Sequence, residues 1–294
     1  MLRAHARYDF SPITARKDWS WPGGARLAFY VAINVEQFPF GEGLGPELNP
    51  RLPEPDIPNH SWREWGNRVG VWRLIELLDE FAVPSSVLLN TAIYDHCPEV
   101  AEAFRARGDE FVGHGYTNAE RQGDMTENAE RALIRGVRDT IAAREGAAPE
   151  GWMGPWISET HATPDLLAEE GYAYTLDWAS DDQPIWLRVR SGGRLLSIPY
   201  ARPTNDLPMM HGARLPPSVW ADIMIDQIDE LLDQSRRQPL VWNLSLHPYL
   251  MHAFRLKHLR RVLRHARAAG SRIWMARAGD IAAYARALPE GTIT

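Results

Sequence analysis

The sequence predicts an α/β fold: a barrel of parallel strands with helices packed outside. Three observations carry that expectation. Short apolar, β-branched runs alternate about seven or eight times with helix-period segments, with no internal break, and such alternation favours a parallel sheet with crossover helices. The chain has 294 residues, a length at which α/β barrels commonly form one unit. No glycine-rich phosphate loop follows the first strand, which favours a closed barrel over an open doubly wound sheet. One domain over 1–294 is expected.

The elements follow in order. "RLAFYVAINV" (26–35) reads as a buried strand. "NRVGVWRLIELLDEFA" (67–82) reads as a helix with Val71, Leu74, Ile75 and Leu78 on one face. "PSSVLLN" (84–90) is a strand, and "PEVAEAFRARG" (98–108) a helix stopped by glycine. "EFVGHG" is a strand, and "TENAERALIRGVRDTIAARE" (126–145) a long amphipathic helix. "GWMGPW" is a short strand. "TPDLLAEEG" (163–171) is a helix with Pro164 near its first turn. "YAYTLDW" (172–178) and "RLLSIPY" (194–200) are strands, and "PSVWADIMIDQIDELLDQS" (217–235) a helix. "PLVWNLSLHP" (239–248), "RLKHLRRVLRHARAAG" (255–270) and "RIWMARAG" (272–279) complete the pattern as strand, helix and strand before a terminal helix. The long proline-rich stretch 40–66 reads as a loop, either a lid or a subunit-contact arm.

Composition narrows the function. The charged fraction is 24%, the net charge is −6 and no Lys/Arg run stands out, so a nucleic-acid partner is not expected. The single cysteine, Cys97, excludes an intrachain disulfide framework and fits a reducing compartment. No stretch reaches the roughly 18 apolar residues of a membrane span, and "MLRAHARYDFSPITARKDWSW" has no signal-like apolar core. A cytoplasmic protein without a membrane partner is the expectation. Twelve tryptophans is a high count; the default for each is the core, but several flank polar motifs where aromatics line pockets.

In α/β barrels the reacting groups sit at the C-terminal ends of strands. The polar and aromatic residues there are Asn34 and Glu36, then His114 and Asn118, then Trp152, Met153 and Trp156, then Asp177 and Trp178 with Asp181 and Asp182, and finally His247. His161 and His211 fall in loops and read as surface histidines, and Asp181 and Asp182 as solvent-facing turn residues.

These motifs resemble the polysaccharide deacetylase-type family of carbohydrate esterase-like hydrolases, over roughly residues 26–285. The resemblance implies a distorted (β/α) barrel of about seven parallel strands. The family's L-x-x-H-P motif is intact as "LSLHP", with His247 in the place of its general acid. Its Asp–Trp motif is present as Asp177 and Trp178. Its H-x-x-x-H metal motif is half present: His114 is kept and Asn118 stands for the second histidine. Met153 stands where an arginine is usual, and Asn34 and Glu36 stand where a base and a metal-binding aspartate are usual. The sequences "NVEQFPFGEG", "GHGYTN", "GPWISE", "DWASDDQP" and "LHPYL" are more similar to the small-amide branch, which includes a metal-independent allantoinase and cyclic imide hydrolases. A homo-oligomer is also implied.

The resemblance thus implies a hydrolase that opens a small cyclic amide, imide or ureide by breaking a C–N bond. Glu36 is the candidate base, its pKa expected to rise toward neutrality on burial. His114 and His247 are candidates for proton transfer or oxyanion stabilisation. Asp177 is expected to orient a histidine. Asn34 and Asn118 would hold substrate polar groups, and Trp152, Trp156 and Trp178 would sandwich a flat ring. Two alternatives stay open. One is a weak metal site of Glu36, His114 and Asn118, completed by water and suited to zinc, as in a deacetylase of N-acetylated sugars. The other is an inert binding protein on the same fold.

Overall fold

A computed structural model describes residues 5–41 and 55–294. Nine strands form one sheet among them: β1 Leu27–Val35, β2 Ser85–Leu89, β3 Glu110–Gly113, β4 Gly151–Trp152, β5 Tyr174–Thr175, β6 Ile185–Arg188, β7 Arg194–Ser197, β8 Leu240–Leu246 and β9 Ile273–Met275. Their spatial order is β6-β7-β5-β4-β3-β2-β1-β8, with β9 pairing the first part of β1. Every pair is parallel except β6 with β7.

All nine residues of β1 are buried, as expected of a strand covered on both faces. The pleat then sorts its side chains by parity. Leu27, Phe29, Val31, Ile33 and Val35 join the larger core, against the surrounding helices. Ala28, Tyr30 and Ala32 join the smaller core on the other face, with Leu88, Val112, Met153, Leu176 and Val241. Continuing that second parity beyond the apolar stretch reaches Asn34 on β1, Glu36 just past it, His114 after β3 and His247 after β8. The register agrees, since Val35 pairs Leu89, Leu89 pairs Gly113, Gly113 pairs Trp152 and Ile33 pairs Leu246. One step past these pairs, Glu36, Asn90, His114 and Met153 lie at one level, and Asn34 beside His247.

Among the described residues the expected closure into a barrel is not found: no ladder joins β8 to β6 or β7. Val241 N–H donates to Asp182 O at 2.8 Å, and Ala201 N–H donates to the Asn243 side chain, so isolated bonds bridge this gap. One strand also escaped the sequence reading. β6 and β7 form a hairpin across "VRSGG", with Gly192 at φ +83. The glycine pair between two β-rich runs is the local signal for it.

Residues 57–65 are helical rather than loop. Asp56 caps the helix by accepting from Asn59 N–H at 3.1 Å, with Pro58 in its first turn. The lid or contact role expected for the stretch 40–66 rests largely on 42–54, which lie outside the described residues. The helix runs through a widened turn at Gly66–Gly70, where Val71 N–H reaches Gly66 O, into the helix Val71–Glu80. That turn packs against Pro248 and Tyr249. A Cβ on Gly66 would overlap Tyr249, and one on Gly70 would overlap the Pro248 carbonyl oxygen. Gly70→Ala is therefore expected to destabilise the fold by about 1–3 kcal/mol through overpacking. Urea unfolding measures it, and an unchanged midpoint would show that the turn can shift. No helix among the described residues is long and apolar enough to cross a membrane.

Candidate active site

Glu36 sits just past β1, buried at the mouth of the sheet. Its Oε2 accepts from the Tyr249 hydroxyl at 3.0 Å, and its backbone carbonyl accepts from Asn67 Nδ2 at 2.9 Å. Its Oε1 lies 3.7 Å from Nε2 of both His114 and His247. Two imidazoles therefore converge on one carboxylate oxygen.

Each imidazole is held from behind. His114 Nδ1 is 2.7 Å from Met153 O. A carbonyl oxygen only accepts, so Nδ1 carries a proton and Nε2 faces the cavity. That Nε2 is buried with no hydrogen-bond partner. His247 Nδ1 is 2.6 Å from Asp206 Oδ1, and the His247 N–H donates to Asp206 Oδ2 at 2.8 Å. One fully buried carboxylate thus fixes both ring and backbone of His247.

The charges follow from this geometry. Burial alone would raise the Glu36 pKa, but the His247 charge, the His114 imidazole and the Tyr249 hydroxyl outweigh it and hold the carboxyl below its usual value. The expectation of a value raised toward neutrality is thereby corrected: burial was anticipated, the compensating partners were not. Burial likewise disfavours the His247 imidazolium, yet Asp206 and Glu36 push its pKa above the usual value. Both shifts favour the same arrangement, a carboxylate facing an imidazolium.

The cavity around this pair has a volume of about 350 Å³. Asn34 lines it, donating to the Tyr200 hydroxyl and to Leu246 O, both at 3.3 Å. Asn118 also lines it. Its backbone is tied to Gln37 O at 2.9 Å, while its Oδ1 is buried without a partner. Trp156 closes one side and donates to Asn118 O at 3.0 Å. Trp156 and Ile157 adopt φ of +67 and +54. Two consecutive side-chain-bearing residues in this region store strain of the kind that clusters at functional sites.

Other expected residues fall elsewhere. Trp152 has the wrong strand parity: it is buried in the larger core against Tyr172, and Met153 reaches the cavity in its place. Trp178 lines an adjoining cavity and donates to Glu159 Oε2 at 2.9 Å, so the three-tryptophan sandwich is not formed. Asp177 lines that second cavity too. Its carboxylate accepts from Gly154 N–H at 2.9 Å and the Thr175 hydroxyl at 3.1 Å, so the histidine-orienting carboxylate is Asp206 instead. Asp181 is not solvent-facing but pairs with Arg16 at 2.5 Å, and Asp182 is the residue whose carbonyl meets β8. His211, read as a surface residue, lines the cavity and stacks on Trp62 at 5.2 Å. His161 is exposed, as expected.

Asp206 and Tyr249 were missed. Asp206 sits in "PTNDLP", which reads as an ordinary loop, and is 41 residues from His247. Tyr249, two residues after His247, carried no signal beyond its place in "LHPYL".

The resemblance of the chain's motifs to those of polysaccharide deacetylases implies a divalent metal. The trio expected from the sequence does not fit one. Glu36, His114 and His247 meet, but among the described residues no group of three His, Cys, Asp or Glu side chains is placed to hold a metal. The third member of the expected trio is the neutral amide of Asn118, a poor zinc ligand.

No family model matches the chain. A peptidoglycan deacetylase of Helicobacter pylori is 24% identical over 143 residues, 48% of this chain and 48% of that protein, so the chain spans about half the length of that relative. A probable polysaccharide deacetylase from Pseudomonas aeruginosa PAO1 superposes with a TM-score of 0.83 at 27% identity, over 95% of this chain and 96% of that one. The Puue allantoinase superposes with a TM-score of 0.85 at 26% identity, over 99% of this chain and 100% of that one. In sequence and fold the chain is similar to polysaccharide deacetylase-type proteins.

Proposed function

We propose that this deacetylase-like chain is a hydrolase that opens a small cyclic amide, imide or ureide at a C–N bond. One observation carries the reading: Glu36 Oε1 stands 3.7 Å from two imidazole Nε2 atoms within a cavity of about 350 Å³. Such a volume suits a small ring, and pockets of this size bury most of a compact ligand. The full-length likeness to an allantoinase supports the same substrate class.

In this reading Glu36 is a carboxylate and accepts one proton from water. The water oxygen bonds to the ring carbonyl carbon. The ring C–N bond breaks, and the leaving nitrogen takes the proton on His247 Nε2. Proton exchange from Glu36 to His247 restores the starting charges. Asp206 keeps the His247 Nδ1 proton in place throughout, so that Nε2 is the atom that gives and takes. Asn34 and Asn118 offer polar groups to the ring's amide edge, and Trp156 a flat face.

Every role here is filled by a side chain of this chain, so ring opening is expected to proceed without metal. Initial rates on hydantoin, dihydrouracil and succinimide should be unchanged after dialysis against a chelator. Loss of the rate, with recovery on adding zinc, would instead make Glu36, His114 and Asn118 metal ligands.

The deacetylase likeness favours a second reading, removal of acetate from an N-acetylated sugar. Acetate release from N-acetylglucosamine oligomers, with no ring opening on the panel, would establish it. No turnover on either class would leave an inert binding protein.

A further inference from the structure

Two cavities meet beside the Glu36–His247 pair, sharing Ile157, Arg202 and Pro208 as walls. The second is larger, about 1010 Å³, more than a single small ring requires. Arg202 is the only lysine or arginine lining either cavity among the described residues. Its guanidinium is exposed and makes no hydrogen bond or ion pair with them, whereas most arginines of this chain are engaged. Its backbone is nevertheless well placed. The turn Arg202–Thr204 is pinned by Ala201 N–H to the Asn243 side chain and by Trp242 Nε1 to Thr204 Oγ1 at 3.2 Å.

We propose that the substrate ring carries a carboxylate arm, which runs from the first cavity into the second and is held by Arg202. A planar guanidinium with all its donors free matches a carboxylate's two oxygens. The rest of the site is compatible. Glu36, deep in the first cavity, repels an anionic group and so favours the orientation with the neutral ring inward and the arm outward. Asp177 and Glu159, in the second cavity, would oppose an anion if both were ionised. Burial and their mutual contact push Glu159 well above its usual value, and burial raises Asp177 to about 6. Both shifts weaken the pair's repulsion of the arm. Arg202 becomes a specificity-determining residue: it selects among rings by their substituent and takes no part in breaking the C–N bond.

This inference rests on the ring-hydrolase reading for what enters the first cavity, and binding separates the two. Calorimetric titration would compare hydantoin-5-acetate with hydantoin-5-acetamide, a neutral probe of the same shape. Both are measured on Glu36→Gln protein, in which ring opening is slowed about 10³-fold, with Arg202 intact and with Arg202→Gln added. The acetate is expected to bind about tenfold more tightly than the acetamide, in line with a charge-assisted bond. Arg202→Gln should remove that advantage and leave acetamide binding unchanged. Arg202→Lys should restore part of it. Equal binding of the two probes to protein with Arg202 intact, or equal loss of both on Arg202→Gln, overturns the role of Arg202 and leaves the ring reading standing. Binding of neither probe overturns both.

Discussion

Glu36→Gln is expected to lower kcat by about 10³-fold, within the range a positioned general base contributes. The physical reason is specific. Glutamine keeps the size of the side chain and can still accept from the Tyr249 hydroxyl, but its amide cannot take a proton from water near neutral pH. The wild-type carboxyl is held below its usual value by the two imidazoles and Tyr249. It is therefore ionised, and ready to accept, across the neutral range. The melting temperature should change little, because His247 keeps its Asp206 partner and the substitution leaves no buried charge unpaired. KM should also change little. Retained turnover with an unchanged melting temperature would remove Glu36 from the chemistry.

Asp206→Asn is the second large expected effect. The carboxylate stabilises the His247 imidazolium by charge and by two hydrogen bonds, one to Nδ1 and one to the backbone N–H. Asparagine retains one of these and can present its NH2 to the ring, which favours the wrong tautomer. Loss of the carboxylate from an Asp–His pair costs about 10⁴-fold in kcat in a serine protease, and a loss of about 10²–10⁴-fold is expected here. The sign of the pH effect discriminates further. His247 must be protonated to donate to the leaving nitrogen, and Asp206 and Glu36 together raise its pKa above the usual value. The wild-type rate should therefore fall on the alkaline side only above that usual value. In Asp206→Asn that limb should move to lower pH, since one raising influence is gone. Rate profiles between about pH 5 and 9 test this. An alkaline limb that stays in place would mean that His247 is not the titrating acid.

Much of this was legible in the chain. The apolar run of β1 and the glycine stop after Arg107 are local signals, and each produced the element it announced; the long helix expected at 126–145 forms over 127–145, with Thr126 as its cap. Glu36, His114 and His247 were legible as strand-end polar residues, because the β/α alternation sets which chain ends meet at one edge of the sheet. Asn34 and Asn118 were legible for the same reason. Trp152 was not, because a two-residue strand leaves no run of alternation from which to read parity. The adjacent Met153 takes the cavity face, and only the pairing of Gly113 with Trp152 decides between them.

What the sequence determined by itself is the set of chemical groups and the edge at which they gather: hydrophobic periodicity and caps act over a few residues and are written in adjacent positions. The tertiary structure alone decided how those groups are charged and joined. Asp206 reaches His247 across 41 residues, and Tyr249 reaches Glu36 across 213. Burial of Glu36 was foreseeable, yet the sign of its pKa shift depends on two imidazoles and a hydroxyl brought within a few ångströms by separate strands. Electrostatic energy falls with distance in space and takes no account of distance along the chain, so these pairings could be read only once the sheet had been assembled.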